Sequence, residues 1–484
     1  MVASDIVSSR RLLLGVFLAT ASLGCGGTTA LPAAAGWSPG TALASLPGLS
    51  PRGLLDVRGL IHAHSVFSHD ACDNTPRDEK TGKLNAACVE DFRRGVCQAR
   101  HDFVMLTDHA AHFSEYEFPE VLLHQPEHGD ELVLRAGTAV ANWAGCEALA
   151  TATAENHADW SGRALVLAGS ETGAMPVGLE RHVGATPEAR VAAYKAKSPD
   201  AIAALHQAGA LVLAAHTEEW APDELVGLDG FEMYNLHANA ILGAGGVFQV
   251  AKYASDPELR ITPDLALLPI VSEDHRYLEH WGSVLARGGH PVTTMGTDCH
   301  RNSFPMLLSD GERIDSYRRM MMWFSNHVLI QPAADGSWDD RNLKAGLAAA
   351  RLYGVFEVFG YPDGFDYRAE AGSLAHEMGQ DVALAAGAEL VVTRPRIREL
   401  AASVELPEIR IRVLRAIENG FEVAFDEGAD ASASEVRFTP TKPGAYRAEV
   451  RIRPRHLRGQ FGAFTELADA DFVWIYANAI HITK

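Results

Sequence analysis

Short apolar runs alternate with longer amphipathic stretches from residue 54 to about residue 354. The runs at 60–61, 103–106, 164–167, 211–214, 230–234 and 292–295 predict strands. The stretches at 87–100, 199–207, 278–287, 316–325 and 342–352 carry helical spacing. Strand and helix in alternation over this length predict a parallel sheet closed into a barrel, with chemistry at the carboxyl ends of its strands. The rhythm breaks at 112–160, which reads as an elaborated loop over the site; Trp143 and Trp160 within it read as local packing. Beyond residue 355 the runs at 407–413, 421–425, 435–438, 446–452 and 474–482 alternate with period two, separated by turn signals such as Asn419-Gly420 and Lys442-Pro443-Gly444. They predict an antiparallel, immunoglobulin-like sandwich serving as a structural or docking module. The expected fold class is therefore α/β, a (β/α) barrel at 52–354 followed by an all-β sandwich at 355–484.

The N-terminus departs from both patterns. Arg10-Arg11 precede an apolar run at 12–23 that is too short to span a bilayer and has the layout of an export signal. Ser9-Arg10-Arg11-Leu12 is similar to a twin-arginine signal. Ser22-Leu23-Gly24-Cys25 resembles a bacterial lipoprotein cleavage box, with serine where leucine is usual. Residues 1–25 thus read as a signal peptide and 26–51 as a flexible spacer. The expectation is an exported, periplasmic or cell-envelope protein, touching a membrane only through a lipid anchor at Cys25.

Composition narrows the classes further. Of 484 residues, 47% are hydrophobic and 21% charged, as in an ordinary globular protein, and the formal net charge of -20 argues against a nucleic-acid or anionic-membrane surface. Cys72 and Cys88 flank a polar insert that a disulfide could staple in an oxidising compartment. Cys97 and Cys146 have no readable pairing, and Cys299 reads as packing.

The candidate chemistry lies in imidazoles and carboxylates placed just after the apolar runs: His62 and His64, Asp108-His109, Glu171, His182, His216, and Asp298 with His300. Such ligands suit first-row divalent ions that keep an exchangeable water. In Ile61-His62-Ala63-His64, period two puts both imidazoles on one strand face. Asp108 is a candidate second-layer acceptor for an imidazole. Arg181 and Arg301 are candidate phosphate clamps, and Glu232 and Asn235 candidate supporting or substrate contacts. His237, His275, His280 and His290 have no partner spacing and read as surface or loop residues.

These pieces, Ile61-His62-Ala63-His64-Ser65, Leu106-Thr107-Asp108-His109, Gly169-Ser170-Glu171, Arg181-His182-Val183, Ala215-His216 and Gly296-Thr297-Asp298-Cys299-His300, resemble in order those of the PHP (polymerase and histidinol phosphatase) family of metallohydrolases. The resemblance covers most of 54–354 and implies a distorted (β/α) barrel; the tail is similar to the sandwich that follows the barrel in some exported members. It implies one ion held by His62, His64, Glu171 and Asp298, a second sharing Glu171 and adding His182 and His216, and a third held by His109, His300 and an acidic residue, with Asp70 preferred over His69. Two or three ions (zinc, manganese or iron) are implied, with Glu171, Asp298 and His109 at the centre of catalysis. The implied activity is phosphoester hydrolysis of a small molecule by metal-bound hydroxide. Amidohydrolase-type C–N or lactone hydrolysis is the alternative within enzymes, and a metal-containing surface binding lipoprotein the alternative outside them.

Overall fold

The computed structural model describes residues 49–50, 52–146, 162–242, 250, 252, 261–271, 273–428 and 433–484. The expected signal at 1–25 with Cys25, the spacer up to residue 48, and Trp160 lie outside them. The strands are β1 (Leu55–Ala63), β2 (Phe103–Leu106), β3 (Glu131–Arg135), β4 (Thr138–Gly145), β5 (Arg163–Gly169), β6 (Met175–Leu179), β7 (Leu211–Ala214), β8 (Gly230–Asn235), β9 (Val292–Cys299), β10 (Ser325–Ile330) and β11 (Leu352–Val355), with further short strands beyond. Hydrogen bonds close seven of them into a barrel in the order β1, β2, β5, β6, β7, β8, β9 and back to β1.

The six barrel strands legible in the apolar pattern all run parallel. The seventh does not: β6 is antiparallel to both β5 and β7. The hairpin β3–β4 also joins β5 antiparallel, where a loop over the site was expected. The expected α/β barrel of alternating strands and helices is therefore corrected to a closed, mixed β-barrel with extra strands. Composition hides β6, because Met175-Pro176-Val177-Gly178-Leu179 carries a proline and a glycine at φ 75°, both poor strand formers. All five residues are nevertheless buried.

β1 has two sets of neighbours. Its second half lies between β2 and β9, while residues 55–59 pair antiparallel with β10. From β10 the hydrogen bonding runs on through β11 to the strand Phe472–Ala477, then Gly444–Arg453, then Glu408–Ile417. This corrects the expected sandwich as well. One of its layers is the continuation of the barrel's own sheet, and the expected boundary at 354/355 falls within β11. The other is a four-stranded antiparallel sheet of 374–376, 366–371, 389–393 and 435–438. Tyr367 Oη of the second layer donates to Tyr446 O of the first. The helix expected at 316–325 stops at Met322, and Ser325 already opens β10.

Outside the barrel, helix Ala86–Ala99 starts where Asn85 accepts from Cys88 N, and it buries Cys88, Val89, Phe92 and Val96, one face at helical spacing. Disulfides join Cys72 to Cys88 and Cys97 to Cys146, tying this helix to the segment before it and to the end of the β3–β4 hairpin. Cys299 is a buried free thiol. Trp143 of β4 packs edge-on against Trp338, as local packing predicts. No helix among the described residues is long and apolar enough to cross a membrane.

Candidate metal centre

Five parallel strands deliver the side chains of one cluster at their carboxyl ends. His62 and His64 come from β1, His109 follows β2, Glu171 follows β5, His216 follows β7, and Asp298 and His300 close β9. β1 does not reach this point as a regular strand. Its register shifts between Ile61 and Ala63, and His62 sits at φ 78°, so a bulge rather than plain period two aims its ring. His216 and Asp298 also have left-handed backbone, at φ 48° and 52°. Such strain at three clustered polar residues belongs to a functional site more than to a scaffold.

The distances describe a cradle. His62 Nε2 and His64 Nε2 are 3.1 Å apart, and each is 3.2 Å from Asp298 Oδ1. Glu171 Oε2 lies 3.9 Å from the first ring nitrogen and 3.7 Å from the second. Ligands at about 2.1 Å from a tetrahedral ion are about 3.4 Å from one another, the scale of these separations. The other oxygens of both carboxylates turn to a second position. His216 Nε2 is 3.4 Å from Glu171 Oε1 and 3.4 Å from Asp298 Oδ2. A third grouping has Asp70 Oδ2 3.4 Å from His109 Nε2 and 3.5 Å from His300 Nε2, with His64 beside both rings. Asp70 is thus in the cluster, while His69 is exposed, its ring tilted against His109 and edge-on to His112.

His182 is not brought to the cluster. Because β6 runs antiparallel, His182 leaves it at the end opposite the one where β5 and β7 present Glu171 and His216. Its ring nitrogens bond Tyr194 Oη at 2.9 Å and Tyr116 O at 2.8 Å, and its ring lies among Phe113, Phe118 and Tyr194. In its place stands His237, just past the end of the parallel strand β8, with Nδ1 3.1 Å from Asp298 Oδ2 and Nε2 3.2 Å from Ser303 Oγ. The signal that could have found His237 is its place after an apolar strand, the criterion that picked out the others.

Of the expected supporting groups, Glu232 and Asn235 stand beside the cluster, whereas Asp108, Arg181 and Arg301 do not take the roles expected of them. Glu232 Oε1 accepts from His62 Nδ1 at 2.6 Å, and its Oε2 accepts from His216 N and Asn235 Nδ2. One buried carboxylate therefore orients two of the imidazole-bearing segments. Gly296 makes room for it: a Cβ there would overlap Glu232 Oε1 and lie 3.2 Å from His62 Nδ1. Glu218 Oε1 is 3.3 Å from His216 Nδ1, and its other oxygen accepts from Tyr277 Oη. Asp108 does not orient an imidazole; it accepts from Ser65 N at 2.6 Å and Ser65 Oγ at 2.8 Å, fixing the turn after β1. The two arginines do not face the centre. Arg181 donates to Gln207 O, and Arg301 Nε pairs with Asp91 Oδ2 at 3.0 Å.

Electrostatically the cluster is divided against itself. Burial disfavours charge on every member, yet Glu232 and Asp298 hold His62 well above the ordinary histidine range. Despite burial, His109 is raised to about 9 by its bond to Asp70, and His216 to about 12 by Asp298 and Glu218. Burial pushes His64 well down and His300 to about 4, and pushes Glu171 up. Asp298 stays well below the carboxylate range because His62 and His300 outweigh its burial. Even so, Asp298 Oδ1, Asp70 Oδ1 and His300 Nε2 are buried with no hydrogen-bond partner among the described residues. Buried polar atoms without partners are costly, and cations among them would relieve that cost. Several histidine, aspartate and glutamate groups here thus lie within metal-binding distance of one another: His62 with His216 and Asp298, His62 with His64 and Glu171, His64 with His109 and His300, and His237 with Asp298 and His300.

No family model matches the sequence, and no curated protein or solved structure matches it either.

Proposed function

We propose that this centre holds two or three divalent ions and hydrolyses phosphoesters of small molecules, the activity implied by the PHP resemblance. One observation carries the reading: Glu171 and Asp298 each aim one oxygen toward His62 and His64 and the other toward His216, the disposition of two bridging carboxylates. The first position takes His62, His64, Glu171 and Asp298. The second takes Glu171, Asp298, His216 and His237, and the third takes Asp70, His109 and His300. The mixed nitrogen and oxygen set suits zinc, manganese or iron. When bound, such ions supply Lewis acidity toward a phosphoryl oxygen and lower the pKa of water toward neutrality.

The chain's own residues do the rest. Glu232 holds the proton on His62 Nδ1 and so keeps Nε2 aimed at the first position. His109 donates from Nδ1 to Glu171 O at 2.7 Å, which turns Nε2 toward Asp70. With Arg181 and Arg301 engaged elsewhere, the charge of a phosphoryl group falls to the ions rather than to a guanidinium fork. The two disulfides suit an oxidising compartment and support the reading of an exported protein. The test is metal analysis with assay of a nitrophenyl phosphate panel, alongside His64→Ala and Glu171→Ala. Turnover lost in both folded variants supports the proposal. Bound metal with no turnover on any phosphoester, in parent or variants, contradicts it.

A further inference from the structure

A second meeting of imidazoles and a carboxylate uses none of the residues of the barrel centre, and it includes His290, which the sequence presents as a surface or loop residue. His290 stands between the helix His275–Ala286 and β9, Asp381 opens the short strand Asp381–Ala383, and His481 lies in the last strand, Ile480–Thr483. The two short strands pair in parallel with Asp381 and His481 as direct partners, so their side chains stand on one face. His481 is only 7% exposed. His290 is exposed and lays its ring on that of His481, with centroids 3.6 Å apart and planes at 19°. Its Nε2 is 3.7 Å from Asp381 Oδ1, and one ligand atom from each of the three residues lies within 4.8 Å of the others.

Simpler roles leave this arrangement unexplained. At 3.7 Å the His290–Asp381 pair is too long for a hydrogen bond. No described residue hydrogen-bonds a ring nitrogen of His481, although its ring is buried. Burial and the neighbouring His290 push His481 down to about 4, so its ring is neutral near pH 7. A neutral imidazole keeps one ring nitrogen with a free lone pair. In the stack the in-plane lone pairs of the two rings run side by side, so joint ligation requires the exposed His290 ring to turn toward the face that Asp381 and His481 share.

We propose that His290, Asp381 and His481 form a separate three-ligand site for a borderline divalent cation such as Zn2+. Bound there, the ion ties the final strand of the chain to the segment leading into β9, and water completes its shell. The inference does not rest on the reading of the barrel centre.

Zn2+ alone is the probe, added to the full chain after chelator treatment. Zinc per chain and the thermal midpoint are measured for the parent, His290→Ala and Asp381→Ala; both substituted residues are exposed, so the fold is not at stake. Each variant is expected to hold about one zinc fewer than the parent and to lose part of the zinc-induced rise in Tm. In addition, Co2+ titration should give a d–d absorption step in the parent that both variants lack. Unchanged zinc content and an unchanged Tm response in both variants overturn the proposal.

Discussion

β1 carries charged groups toward both of its ends, and the protein treats them in opposite ways. Around its first half, Arg58 pairs with Glu357 and donates to Ala99 O and Arg100 O, His327 lies 3.0 Å from Asp56, and Tyr353 Oη donates to Asp56. Those charges find partners within the chain. At the other end, His62 and His64 face Asp298 and Glu171 in a cluster that leaves buried atoms of Asp298, Asp70 and His300 without partners. A closed network of charges holds a fold together, whereas an open one awaits a ligand. Composition is nearly the same at both ends; satisfaction tells them apart.

The two ends should therefore fail differently. Asp298→Ala removes a ligand shared by two positions, and the loss of several kcal/mol of charge stabilisation predicts about 10^3-fold lower turnover. His62 and His216 can shed the protons that Asp298 helps to hold on them, so the chain should stay folded. Circular dichroism and a phosphoester assay check both halves, and a variant that unfolds would erase the contrast.

At the closed end the effect is on stability and depends on pH. Burial opposes charge on His327, but Asp56 and Glu357 raise it to about 9, above its ordinary value of 6.5. Its contribution, about 3 kcal/mol, is then complete below pH ~6.5 and lost as pH rises through ~9. The urea midpoint should fall between pH 6 and pH 9.5, and Asp56→Asn should flatten that fall. A midpoint indifferent to pH in this window would mean that His327 is not held protonated.

The third contrast is between His237 and His182. His237→Ala should lower metal affinity or activity by about 10–100-fold, while His182→Ala should leave metal content unchanged and cost about 1–2 kcal/mol of stability. Equal metal loss in both would put His182 back in the centre. The smallest expected effect is that of Gly296→Ala, whose methyl group would push Glu232 off His62 and weaken metal binding by about tenfold.

The same pair shows how far the sequence could be read. Six parallel strands were legible because Phe103–Leu106, Leu211–Ala214 and their like are continuous apolar runs buried in the barrel wall. The ligands at their ends were legible for the same reason. β6 was not, since Pro176 and Gly178 erase its signature, and the direction of a strand is not written in its composition at all. One antiparallel strand therefore misplaced His182, and His237 went unread because it has no histidine or acid at ligand spacing. The C-terminal strands were seen as strands, but period two does not reveal that Phe472–Ala477 pairs with β11 and so continues the barrel's sheet.

Anomalous diffraction from metal-loaded crystals, collected at the edges of zinc, manganese and iron, tests the central claim most directly. The account predicts one peak about 2.1 Å from both His62 Nε2 and His64 Nε2 and a second beside His216 and His237, with Glu171 and Asp298 between them. A peak on His182, or none beside His62 and His64, would contradict it.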